Sequence, residues 1–318
     1  MAAEPHDSPG GRRVLVTGAS GFIGRQLCKM LVAEGHRVWA MNRRDHEGQG
    51  LPEGIEGLTL QSVGDPISAD VMAWKPETVI HLAWSGIPDY GPECCIANLE
   101  EQLRFIDQVV GIGSVERVLG AGTCFEYGES GGLCKEDEGA VARNYLAWAK
   151  DSLRRFLLLA TSESHIDVVW FRIFFAYGPG QRSGGLLPSI LRATASGQQV
   201  DLHDPNGAKD FVYVDDVADA FRCAVDPGSP SGTFNLGSGS LASLVDVRDA
   251  ATRAVKGLPI REEIFKLVSA QVTEREVYAS LERVADAFGW CPSVPLGEGI
   301  RRTWEAMDKA GLPPDKED

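Results

Sequence analysis

The chain has 318 residues, 43% of them hydrophobic, with 45 acidic against 31 basic side chains and a formal net charge of −14. That apolar share supports one large domain or two small ones, and the negative balance argues against nucleic acid or an anionic membrane as the main partner. No run reaches membrane-span length, residues 1–13 hold no apolar signal core, and the seven cysteines follow no short regular spacing; reduced thiols in a cytoplasmic protein without a metal site are expected.

The first element is Val14-Leu15-Val16-Thr17, an apolar run that stops at Gly18-Ala19-Ser20-Gly21-Phe22-Ile23-Gly24. From Phe22 to Ala33 apolar residues recur at helical spacing, so the stretch reads as strand, tight turn and helix start. Such a turn aims backbone N–H groups and a helix N-terminus at one point, which suits a diphosphate. Gly18 permits the turn, Gly21 lets the backbone approach the phosphates, and Gly24 lets the helix pack close to the strand. With Ser20, Phe22 and Ile23 they form a candidate dinucleotide cradle.

A second strand, Arg37 to Met41, ends in Asn42-Arg43-Arg44. An acid at this place bonds the ribose hydroxyls and suits NAD; two guanidinium groups and no carboxylate favour a 2′-phosphate, hence NADP(H) over NAD(H). A Gly-rich loop over 45–57 leads to a third strand, Leu58–Val63, then Gly64-Asp65. Thr78 to Trp84 reads as a buried strand running into a loop, and Cys95–Val110 as an amphipathic helix with Asn98 near its start. A strand over Val115–Ala121 ends in Gly122-Thr123-Cys124-Phe125-Glu126-Tyr127-Gly128. A long helix follows from about Asn144 to Ala160, then a strand over Asp167–Phe171, a helix over Leu186–Gly197, a short strand over Val200–His203 and a return strand over Thr233–Gly237.

Gly18-x-x-Gly21-x-x-Gly24 after Thr17 resembles the extended short-chain dehydrogenase/reductase family, whose members modify nucleotide sugars. So do His81-Leu82-Ala83-Trp84, the Thr123 to Tyr127-Gly128 stretch, Arg172 to Gly180, and Lys209-Asp210-Phe211-Val212-Tyr213-Val214-Asp215-Asp216-Val217. The resemblance implies an α/β fold: a Rossmann-type doubly wound parallel sheet with a smaller C-terminal substrate-binding lobe. Residues 1–172, with a return segment near 210–236, would bind the dinucleotide; 173–209 and 237–318 would bind a nucleoside diphosphate sugar. It further implies an adenine contact for Asp65, a cofactor-lining role for Leu82 and Ala83, and a nicotinamide or sugar contact for Trp84. Thr123 would hydrogen-bond the substrate's reacting oxygen. Lys209 and Arg275 would reach the diphosphate, and the two long helices would pair with their copies in a homodimer.

The departures from the pattern are informative. Sugar 4,6-dehydratases of this type place Asp-Glu after the Thr; Cys124 and Phe125 stand there instead, so a dehydratase is disfavoured. Cys124, beside the substrate position, is either an acid/base group or an inert small residue. The family's proton donor is a Tyr four residues before a Lys, on one helix face. Here Tyr145 precedes Lys150 by five, about 140° away on a regular helix, and Leu146 fills the usual Tyr slot. Tyr145 stays as candidate acid/base, with Lys150 on the nicotinamide ribose. Phe175 replaces an Asn, and Lys209 an Arg. The leading expectation is an NADP(H)-dependent 4-ketoreductase of a keto-deoxy sugar nucleotide, followed by an epimerase, then a catalytically weakened nucleotide-binding protein.

Overall fold

The computed structural model describes residues 11–43, 51–128, 131–139, 141–198, 202, 207–265 and 276–311. In chain order the elements are β1 (Arg13–Thr17), α1 (Phe22–Ala33), β2 (Arg37–Asn42), β3 (Gly57–Leu60), α2 (Ala69–Trp74), β4 (Thr78–His81), α3 (Pro92–Val110) and β5 (Arg117–Thr123). There follow β6 (Gly132–Cys134), α4 (Tyr145–Ala160), β7 (Asp167–Ile173), β8 (Phe175–Tyr177), α5 (Leu186–Ala195), β9 (Ala208–Lys209), β10 (Phe211–Tyr213) and α6 (Val214–Cys223). The last are β11 (Gly232–Leu236), β12 (Ala242–Ser243), α7 (Leu244–Val255), β13 (Val277–Ala279), α8 (Glu282–Phe288) and α9 (Leu296–Lys309).

Seven strands form the central sheet in the order β11-β7-β5-β4-β1-β2-β3. The expected doubly wound architecture is therefore present, with the order reversing at β1, where such folds bind nucleotides. β1 runs parallel to β2 and β4, in register Val16↔Ala40 and Val16↔Ile80. Val14, Leu15, Val16, Val79 and Ile80 have no exposed surface; strands covered on both faces read as continuous apolar runs rather than alternating ones.

The chain divides into two compact units: residues 1–121, 152–170 and 221–232, and residues 122–151, 171–220 and 233–318. In the first unit a fully buried Arg117 donates to the carbonyls of Ala224 (2.6 Å), Ser229 (3.0 Å) and Pro230 (3.1 Å), which satisfies a guanidinium that water cannot reach. In the second unit, β8 pairs with β10, β9 with β12, and β6 with β13. One core there joins Tyr177, Leu191, Phe211, Val247 and Ile300; a smaller one joins Cys124, Tyr127, Cys134, Phe174, Val277 and Ala279.

Several expected bounds move by a few residues: the third strand is Gly57–Leu60 and the helix carrying Asn98 begins at Pro92. The strand expected over Val200–His203 lies outside the described residues except for Leu202, which is buried. Among the described residues, no helix is long and apolar enough to cross a membrane.

Candidate active site

In the first unit the Gly-rich turn is built as its spacing requires. Gly18 has φ +67°, and its N–H bonds Met41 O at 2.9 Å. A Cβ there would lie 3.0 Å from the Ala83 backbone. At Gly24 a Cβ would come within 2.2 Å of Gly18 O, so this glycine makes room for the turn itself. Gly21 is the N-cap of α1, with no side-chain cap bond and no acid in the first turn. The N–H groups of Phe22, Ile23 and Gly24 thus meet no capping side chain and no acid of their own first turn, and a helix end of that kind attracts an anion.

Around this turn a pocket is lined by Gly18, Ser20, Gly21, Asn42, Arg43, Leu82, Ala83 and Trp84, so these eight expected residues are brought together. Asn42 accepts the Ser20 N–H through Oδ1 at 2.9 Å, which fixes its amide plane. Its Nδ2 is buried and makes no hydrogen bond among the described residues. A buried donor of that kind wants an acceptor, and together with the uncapped helix end it fits the adenosine phosphate half of a nicotinamide dinucleotide.

Met41, Gln61, Ser62, Val63, Ser85, Glu101 and Gln102 complete the lining. Asp65 is not part of it; its carboxylate accepts the Ser62 N–H at 3.1 Å and so shapes the turn behind the wall. The α3 contributions were readable in principle. Asn98 and Gln102 stand at buried positions of an amphipathic helix, and a polar residue at a core position asks for a partner. Asn98 bonds both the N–H (2.8 Å) and the carbonyl (3.1 Å) of Ser85, and Gln102 donates to Ala83 O at 3.1 Å. His81 bonds Thr17 Oγ1 at 2.8 Å and, on its other nitrogen, Gln102. Buried polar bonds thus hold the strand-to-loop crossing beside Gly18. Arg44 lies outside the described residues, as does Arg275.

In the second unit, Thr123 caps a short 3-10 turn, Cys124–Tyr127. Its Oγ1 accepts the Phe125 N–H at 3.3 Å, while its own N–H donates to Glu126 Oε1 at 2.9 Å. This cap uses the hydroxyl's oxygen and not its hydrogen. Glu126 has no exposed surface, and its other oxygen accepts Arg172 Nε at 2.9 Å. The Arg172 guanidinium lies 4.4 Å above the Tyr127 ring, whose hydroxyl donates to Asn235 Oδ1 at 2.7 Å. Burial pushes the Tyr127 hydroxyl and the Cys124 thiol well up. Cys124 therefore keeps its proton near neutral pH, which leaves its acid/base role without support.

Asn144 starts α4 by accepting the Ala147 N–H at 2.8 Å, as a helix N-cap does. Tyr145 is accordingly the first helical residue, 50% exposed, whereas Leu146 and Lys150 are 7% and 8% exposed. The helix therefore groups Leu146 with Lys150 on its buried face and leaves Tyr145 off it. Burial pulls the Lys150 ammonium down to about 8, against an opposing pull from Glu126. Lys209, on β9, places its Nζ 4.9 Å above the Phe175 ring, so the two departures on the substrate side pack on one another. Asp216 accepts from Ser293 N (3.0 Å), Ser293 Oγ (2.7 Å) and Val294 N (3.1 Å), tying the 293–294 segment to α6.

The sheet order and the Gly-rich cradle define a doubly wound α/β protein with the turn and helix end of a dinucleotide site. The sequence pattern of the NAD dependent epimerase/dehydratase family matches residues 14–237, and the chain belongs to that family of nucleotide-sugar epimerases, dehydratases and reductases. It is 27% identical to a UDP-glucose 4-epimerase of Mycolicibacterium smegmatis over 92% of this chain and 97% of that one. It is also 27% identical to a dTDP-6-deoxy-L-talose 4-dehydrogenase (NAD(P)(+)) of Kitasatospora kifunensis, over 96% and 98%. Among solved structures, MoeE5 in complex with UDP-glucuronic acid and NAD superposes with a TM-score of 0.79 at 28% identity, covering 94% of this chain and 99% of that one.

Proposed function

We propose that the protein is an NADP(H)-dependent oxidoreductase that reduces a keto sugar carried on a nucleoside diphosphate, with a 4-keto-deoxy sugar as the first substrate class. The observation that carries the cofactor choice is Asn42–Arg43 at the end of β2. An amide donor and a guanidinium stand where an NAD site offers an acid to the ribose hydroxyls. A 2′-phosphate is acceptor-only and anionic, so both groups favour it. NADP(H) use favours net reduction, since an epimerase recycles its nicotinamide in place. The K. kifunensis relative is named a 6-deoxy sugar nucleotide 4-dehydrogenase working with NAD(P)(+), which supports redox chemistry at that carbon with a phosphorylated nicotinamide, written there in the oxidising sense.

The cofactor supplies a hydride. The chain supplies the rest: the cradle and Asn42 hold the adenosine end, Lys209 attracts the diphosphate, and the Thr123 hydroxyl hydrogen-bonds the carbonyl oxygen and stabilises the charge that grows on it. Exposed Ile96 on α3 and exposed Trp148, Leu158 and Leu159 on α4 support pairing of these helices with a second copy. The seven cysteines form no disulfide with one another, which suits a reducing setting.

The test is loss of NADPH absorbance with a panel of 4-keto-6-deoxy sugar nucleotides, with NADH as control. Turnover with NADPH upholds the reading. Turnover with neither cofactor, together with conversion of UDP-glucose to its 4-epimer, replaces it with an epimerase, the reading that the M. smegmatis relative favours.

A further inference from the structure

Thr123 and Lys209, the groups assigned above to the two ends of the sugar diphosphate, are joined within the second unit by aromatic rings. The Thr123 hydroxyl oxygen accepts the Phe125 N–H at 3.3 Å. The Phe125 and Phe175 rings meet edge to face, their centroids 5.9 Å apart and their planes at 85°. Lys209 places its Nζ 4.9 Å above the Phe175 ring. Thr123, Phe125, Phe175 and Lys209 all keep part of their surface open.

Both rings are fixed in place before any ligand arrives. Phe125 belongs to the short 3-10 turn that Thr123 caps. The Phe175 N–H bonds Asp210 O at 3.0 Å, and the pairing of β8 with β10 sets Phe175 opposite Phe211, with ring centroids 6.3 Å apart. Phe125, Phe175 and Leu281 all pack against the smaller core. None of these three side chains can donate or accept a conventional hydrogen bond.

We propose that Phe125 and Phe175 form an apolar wall that reads the sugar between its diphosphate and its carbonyl, and that the wall selects a methyl group at C6 over a hydroxymethyl or a carboxylate. This rests on the nucleotide-sugar reading above and adds to it the side chains that choose the sugar. With the diphosphate on C1 and the carbonyl at C4, two edges of the sugar ring run between the groups held by Lys209 and Thr123. One edge carries the hydroxyls of C2 and C3. The other holds the ring oxygen and C5, with C6 as its substituent. Two phenyl rings against the first edge would strip water from hydroxyls and return no partner, which is unfavourable. Against the second edge they bury a methyl, provided that C6 bears no oxygen. An oxygen on C6 would find Thr123 and Lys209 already engaged at the two ends. The amide that related enzymes carry in place of Phe175 could have served such an oxygen; a phenyl ring cannot. An added hydroxyl at an apolar wall should weaken binding ~10–100-fold.

The test measures binding, so it does not depend on turnover. Full-length protein with NADP+ is titrated calorimetrically with UDP-6-deoxyglucose, UDP-glucose and UDP-glucuronate, and with dTDP-6-deoxyglucose and dTDP-glucose. In whichever base series binds, the 6-deoxy sugar should be held at least tenfold more tightly than the hexose. Equal affinities overturn the proposal. Tightest binding of UDP-glucuronate also overturns it, because Lys209 would then serve a sugar carboxylate.

Phe175→Asn should shrink the preference at least fivefold, chiefly by tighter binding of the hexose. If both affinities fall by one common factor, Phe175 only packs and the proposal is overturned. Phe125→Gln, which leaves the β8–β10 pairing untouched, should shift the preference in the same direction and decides the matter should Phe175→Asn fail to fold. An unchanged preference in Phe125→Gln counts against the wall. Preference for the 6-deoxy sugar in a protein that oxidises no NADPH with any keto sugar nucleotide removes the reductase reading and upholds the wall. Failure of every sugar nucleotide to bind overturns the wall together with the reading it rests on.

Discussion

Replacing Glu126 by Ala should be the most destabilising single change in the second unit. Its carboxylate is fully buried and serves two partners, Thr123 N–H and Arg172 Nε, each at 2.9 Å. Alanine leaves the Arg172 guanidinium, itself 2% exposed, without its counter-charge, and breaking one side of a buried ion pair costs about 3–5 kcal/mol. Against a total stability on the order of 5–15 kcal/mol, that is a third or more. At a urea dependence of about 3 kcal/mol per molar, the unfolding midpoint should fall by ~1–2 M. Glu126→Gln keeps the shape and the bond to Thr123, and should fall between wild type and Ala. Glu100→Ala is the control: the Glu100–Arg104 pair lies on the surface of α3 with both side chains mostly exposed, and such pairs contribute within about 0.5 kcal/mol. Urea curves followed by tryptophan fluorescence decide the matter. A Glu126→Ala midpoint no lower than that of Glu100→Ala would refute the reasoning, because it would mean the buried guanidinium finds water or another acceptor at no cost.

Three further outcomes are expected. Gly18→Ala puts a side chain at φ +67°, 3.0 Å from the Ala83 backbone; dinucleotide affinity by fluorescence titration should fall about tenfold or more, the equivalent of ~1.4 kcal/mol. Asn42→Asp keeps an acceptor for the Ser20 N–H but exchanges an amide donor for an anion, so the ratio of NADH to NADPH dissociation constants should drop at least tenfold, with no drop counting against the 2′-phosphate reading. Lys150, lowered from the ordinary 10.5 to about 8 in the folded chain, binds fewer protons folded than unfolded between those values, so stability should rise with pH across that window. Lys150→Met should lose that slope in urea curves collected from pH 7.5 to 10.

The parts of the fold that sequence reveals are those where one residue type satisfies one local need. Gly18, Gly21 and Gly24 sit where backbone crowding tolerates no Cβ, and the flanking strand and helix periods bracket them. The continuous apolar strands β1 and β4 announce a sheet covered on both faces. The pocket wall from α3 was harder, because Glu101 and Gln102 are two polar residues among many on an amphipathic helix and only their partners, Ser62 and Ala83, mark them out. β6 and β13, three residues each, are too short for a period to register, and their pairing joins residues more than 140 positions apart. Glu126 reads from the sequence as one more structural acid in a loop. Its position between Thr123 and Arg172 joins segments 46 residues apart in the chain. The five-residue spacing of Tyr145 and Lys150 was visible from the start; that the helix begins at Tyr145 and turns it off the buried face needed the Asn144 cap.

The grip of Arg117 on the carbonyls of Ala224, Ser229 and Pro230 has a consequence for biosynthesis. The strand that carries this arginine leaves the ribosome more than a hundred residues before the carbonyls that satisfy it. At about 5–20 residues per second, the nascent first unit waits several seconds with a core guanidinium whose carbonyl acceptors are still to be made, its ion-pair partner Asp167 at 3.5 Å having come fifty residues after it. Its sheet can gather early, but its final closure is postponed until roughly two-thirds of the polypeptide has been made. A ribosome-arrest series should therefore show protease resistance of the N-terminal strands appearing abruptly, once residue 230 has cleared the exit tunnel, and not gradually as each strand emerges.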